Sequence, residues 1–114
     1  MMSLLAVDIG SVEAAEGTRV KSLETLHEAL TYAVRVDLDR DDFHKLFVLA
    51  VRVLELDQDA TARIVKASRP TISRWISGRA VPHRVGRSSV FRELRKVAAD
   101  KLKQHSALGA AAPA

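Results

Sequence analysis

Between Ser68 and Ser77 the chain reads Ser-Arg-Pro-Thr-Ile-Ser-Arg-Trp-Ile-Ser, short polar and guanidinium side chains interrupted by apolar ones at helical spacing. Ile72, Trp75 and Ile76 can meet inside such a helix with Ala62 and Val65 of the segment before it, which leaves Arg69, Thr71, Ser73 and Arg74 to face outward. The chemistry open to that face is hydrogen-bonded recognition rather than bond making. A guanidinium matches the O6 and N7 acceptors of guanine, threonine offers a hydroxyl and a methyl to thymine, and a helix fits the major groove of duplex DNA.

Other clusters of reactive side chains carry less. The four histidines, His27, His44, His83 and His105, form no i, i+4 pair, and there is no cysteine, so no metal site is expected. Asp37, Asp39, Asp41 and Asp42 crowd one stretch, but helix capping accounts for most of them, and the glycine and distal glutamate of a calcium loop are missing. No Ser/His/Asp or Cys/His arrangement has motif context, so the chain is not expected to be an enzyme or to need a cofactor. Trp75, three residues from Ile72 and beside Ile76, is expected in the core rather than stacked on a base.

Charge points the same way as the arginine-bearing segment. Residues 1–60 hold six Lys and Arg against twelve Asp and Glu, a balance of −6, whereas residues 61–114 hold twelve against two, a balance of +10. The overall +4 hides this asymmetry. A cationic half that begins at the outward-facing arginines suits neutralisation of phosphates. The absence of cysteine fits a reducing interior, and the longest apolar run, Leu46 to Val51, is far short of a membrane span. A cytoplasmic protein that makes no use of a membrane is expected.

The elements that must position this face are helical throughout. Leu23, Leu26, Leu30, Ala33 and Val34 predict a first amphipathic helix over about 22–36, available as core or as partner surface. Asp39 can cap a second helix, with Leu38 stapled to Phe43, and Phe43, Leu46, Phe47, Ala50, Val51 and Leu54 give the strongest helical period in the chain. Asp57 caps a third helix of about 58–65. Ser68 caps a fourth, with Pro70 in its first turn and Gly78 ending it. Residues 79–88 read as a basic loop, and Phe91, Leu94, Ala98 and Leu102 predict a fifth helix over about 89–104. The fold class is therefore all-α, a compact bundle of about five helices. Residues 1–17 are expected to be a flexible N-terminal segment, 18–105 the helical domain, and 106–114 a disordered Ala/Gly/Pro-rich tail.

With the helices placed, Leu56-Asp57-Gln58 with Ala62, then Ser68-Arg69-Pro70-Thr71-Ile72-Ser73-Arg74-Trp75 and Gly78-Arg79-Ala80-Val81-Pro82, resembles the lambda-repressor-like (Cro/CI-type) helix-turn-helix family over about 27 residues. The resemblance implies a sequence-specific regulator of transcription, of the kind found on phages, plasmids and other mobile elements. It also implies double-stranded DNA as partner and a homodimer as the binding form. Carried over by position, it implies base contacts from Arg69, Pro70, Thr71, Ser73 and Arg74. Gln58, Lys66, Ser68, Arg79, His83, Arg84 and Arg87 are expected at the sugar-phosphate backbone. A different class of function is an antiactivator, antitoxin or adaptor that keeps the same helical shape and holds a protein partner through residues 22–36.

Overall fold

The computed structural model describes the backbone from Val12 to Ala111 and the side chains from Gly17 to His105. The described residues form five helices and no strand: α1 (Val12–Arg35), α2 (Arg40–Val53), α3 (Gln58–Val65), α4 (Arg69–Ser77) and α5 (Arg84–Ala111). The all-α bundle expected from the periodicity is what forms.

Each of the three middle helices starts at the residue whose side chain can accept its orphan amides. Asp39 accepts the Asp42 N–H at 2.8 Å, Asp57 the Ala60 N–H at 2.7 Å and Ser68 the Thr71 N–H at 3.2 Å. Their ends are equally alike. After α2, α3 and α4 the chain enters the left-handed region at Glu55 (φ 57°), Lys66 (φ 60°) and Gly78 (φ 81°). The residue that follows each donates back five positions, Leu56 to Val51, Ala67 to Ala62 and Arg79 to Arg74. Only the last stop uses glycine, so two of the three turns hold an L side chain where it costs about 1–2 kcal/mol.

Two long helices close the bundle. Leu23, Leu26, Leu30 and Ala33 of α1 are buried with Val90, Phe91, Leu94 and Ala98 of α5, and the α1–α5 pairing is the most extensive in the molecule. Phe43, Phe47 and Ala50 of α2, with Leu54 that caps it, complete the core. Four of the five aromatic residues meet there. Trp75 stands edge-on to both Phe43 and Phe47, with centroids 5.9 and 5.6 Å away, and Phe91 lies 5.0 Å from Phe43. Trp75 is thus a core residue, as its spacing predicts.

Both outer helices run further than their apolar periodicity. α1 begins at Val12, ten residues before the expected start, so residues 12–17 are helical; residues 1–11 of the expected flexible segment lie outside those described. α5 begins at Arg84, inside the stretch read as a loop, and continues to Ala111, into the stretch read as a disordered tail; residues 112–114 lie outside the described part. Residues 84–88 and 106–111 contain no Pro to stop a helix, and neither stretch carries large apolar residues repeated at helical spacing.

Candidate nucleic-acid interface

α3 and α4 are joined by Lys66, Ala67 and Ser68 alone, and the short connection holds α4 across the aromatic cluster of α2. Ile72 is completely buried and Trp75 is 8 % exposed, whereas Arg69, Pro70, Ser73 and Arg74 are exposed and Thr71 is half-buried. The residues expected at the bases therefore lie along one side of one helix, with Thr71 at its half-buried edge. His44 anchors the far end: its Nε2 donates to the Ile76 carbonyl at 2.9 Å, and Gly78 leaves room for the ring. Sequence reasoning gave His44 no role, because its partner is a backbone oxygen 32 residues away.

Thr61 sits where an apolar residue would be expected between the two helices, and it is completely buried. Its hydroxyl donates at 2.8 Å to the carbonyl of Asp57, the cap of its own helix, so no buried polar side-chain atom is left unpaired among the described residues.

Several of the expected contact residues are already engaged. The Ser68 hydroxyl donates to Thr71 Oγ1 at 2.9 Å while accepting the Thr71 N–H, so its oxygen is occupied by the cap. Thr71 keeps its own hydroxyl proton for a further acceptor. The Arg69 Nε lies 3.5 Å from Asp59 Oδ1, both side chains being well exposed. Arg84 Nη2 donates to Asp37 Oδ2 at 2.8 Å, a hydrogen bond and then a charge that raise the guanidinium pKa above its ordinary value; arginine is charged at neutral pH in any case.

Arg87 departs furthest from its expected place at the DNA backbone. It is half-buried, its Nε donating to the Pro82 carbonyl and its Nη1 to the Leu38 carbonyl, each at 2.9 Å. It ties the α1–α2 connection to the α4–α5 connection. His83 is exposed, and its Nδ1 accepts the Val85 N–H at the start of α5. Gln58, half-buried, opens α3 in sequence between the acidic Asp57 and Asp59. Lys66, Arg74 and Arg79 are exposed and, among the described residues, have no ion-pair partner. Asp37 was read only within an aspartate cluster and Asp59 was given no role; the fold brings them to Arg84 and Arg69.

Among the described residues no three His, Asp or Glu side chains are grouped to hold a metal ion, and no helix is long and apolar enough to cross a membrane. Compared with family models, curated proteins and solved structures, the chain shows no match.

Proposed function

We propose that the protein is a sequence-specific double-stranded-DNA-binding regulator of transcription, with α3 and α4 acting as a helix-turn-helix and α4 entering the major groove. The observation that carries the proposal is the division of α4 into a face buried on Phe43 and Phe47 and an opposite face bearing Arg69, Thr71, Ser73 and Arg74. A helix held from beneath by a rigid aromatic cluster loses little entropy on docking, which favours base recognition. Lys66 and Arg79 supply free cations for phosphates, Arg74 an unpaired guanidinium for a base, and Arg84 a further cation after release from Asp37 or in company with it. Each phosphate so neutralised gains affinity by counterion release.

A protein partner held through residues 22–36 would have to use their polar, acidic side, because Leu23, Leu26, Leu30 and Ala33 are buried within the chain. Tyr32 is the one large apolar side chain of that stretch left 64 % exposed. A homodimer, which the sequence resemblance implies, would need surface other than that stripe. Light scattering of the purified protein measures its mass with and without DNA.

Repeated enrichment of a random duplex library on the purified protein, followed by fluorescence anisotropy at moderate salt, tests the proposal. A common motif bound at least tenfold more tightly than random duplex is expected. Recovery of no motif would refute it. Arg74→Ala should relax preference at one base pair by roughly 1–3 kcal/mol, while Arg79→Ala should weaken all duplexes alike and reduce the salt slope by about 0.9.

A further inference from the structure

We propose that Asp59 sets the specificity of Arg69, holding its guanidinium for a guanine and against a phosphate. The inference rests on the DNA-recognition reading of α4. The two residues come from different helices, Asp59 from the first turn of α3 and Arg69 from the first residue of α4. Their separation is 3.5 Å between the carboxylate Oδ1 and the guanidinium Nε. Because the carboxylate meets the Nε edge, the two Nη groups at the other end are free. That end carries the parallel donors that match O6 and N7 of guanine.

An unrestrained arginine on an exposed helix has many rotamers and pairs as readily with a phosphate oxygen as with a base. Phosphate contacts give affinity without sequence information. A carboxylate beside the guanidinium changes both terms: it narrows the rotamers, and its charge repels the phosphate that would compete. Asp59 is 61 % exposed and Arg69 65 % exposed, so the pair is not buried structure and its carboxylate is accessible from solvent. Asp57 is committed to the Ala60 amide and Asp59 is not, which singles out Asp59 among the acids of this turn.

Removal of the charge should therefore have opposite effects on the two kinds of DNA. For Asp59→Asn, binding to random duplex should tighten by roughly two- to fivefold, the range of one exposed charge interaction. Discrimination at the Arg69-dependent base pair, roughly 5- to 150-fold in the wild type, should fall by a similar factor of roughly two to five. Arg69→Ala should lose discrimination at the same position, and Asp59→Asn added to Arg69→Ala should cause no further loss there.

The experiment is enrichment of a random duplex library with the full chain and each variant, followed by anisotropy on the wild-type motif, on that motif with each guanine replaced, and on random duplex. Circular dichroism and thermal unfolding show that each variant is folded; Asp59→Glu, which keeps the charge, should retain discrimination. If the wild type enriches a motif that Arg69→Ala blurs at one G·C pair and Asp59→Asn leaves sharp, the role of Asp59 is overturned while DNA recognition stands. If Asp59→Asn weakens specific and random binding equally, it is also overturned. If the wild type enriches nothing, both fall.

Discussion

Replacing Lys66 with glycine should stabilise the fold and at the same time weaken the proposed DNA binding. Lys66 ends α3 at φ 60° and ψ 49°, and its N–H and that of Ala67 both reach back to the Ala62 carbonyl. The left-handed conformation costs a non-glycine residue about 1–2 kcal/mol, and glycine loses about 0.5–1 kcal/mol more backbone entropy on folding. The side chain is exposed and unpaired among the described residues, so its removal sacrifices little packing. The balance is a gain centred on ~0.75 kcal/mol within a span of about 0–1.5, and a thermal midpoint raised by roughly 2–6 °C at that centre for a chain of this size. Urea and thermal unfolding followed by circular dichroism measure it, with Gly78→Ala as the opposite control. Gly78 has φ 81°, and a Cβ there would stand 3.3 Å from His44 Nε2, so that variant should lose stability. Destabilisation by Lys66→Gly as large as that by Gly78→Ala would refute the strain reasoning. The same Lys66→Gly protein should show a salt slope smaller by about 0.9, one lost phosphate contact.

Trp75→Ala should cost about 3–5 kcal/mol in urea unfolding, since the indole is wedged against Phe43 and Phe47 and its removal leaves a cavity under α4. Thr61→Val should change stability by less than about 1 kcal/mol: the lost hydroxyl is spent on Asp57 O, and that carbonyl keeps the Thr61 N–H as a partner. Arg87→Met should lower stability by about 1–3 kcal/mol, the Leu38 and Pro82 carbonyls losing a charged donor, and should leave the salt dependence of DNA binding unchanged. Leu30→Ala should cost about 2–5 kcal/mol in unfolding without changing the mass in solution, because α1 buries that side chain inside its own chain.

The helix register and caps were legible in the sequence because both are local. Phe43, Phe47, Ala50 and Leu54 repeat every three or four residues, and Asp39, Asp57 and Ser68 stand where a side-chain oxygen reaches an amide three positions on. The left-handed stops were half legible. Gly78 announces itself, whereas Glu55 and Lys66 adopt the same conformation because burial of the flanking helices outweighs a cost that propensity alone would avoid. The start of α5 was hidden for a related reason: its first turn is basic with no buried apolar residue, and the interactions that fix it reach Asp37 and Leu38, far back in the chain. No periodicity carries such information.

Charge shows the same limit more sharply. The +10 of residues 61–114 is a supply of cations, not a measure of how many are free to meet phosphate. Folding draws Arg84 to Asp37, Arg69 to Asp59 and Lys96 to Glu93, and it turns Arg87 inward onto two carbonyls. Two of these partners come from the acidic first half of the chain, so the asymmetry that suggests a nucleic-acid surface is partly cancelled where the halves touch. The exposed pairs can be exchanged for phosphate at small cost, since solvent already screens them. The Arg87 bonds cannot, because breaking them strands backbone carbonyls that hold two connections together. Affinity for DNA should therefore follow Lys66, Arg74 and Arg79 first and the paired arginines second, an order that net charge by itself does not provide.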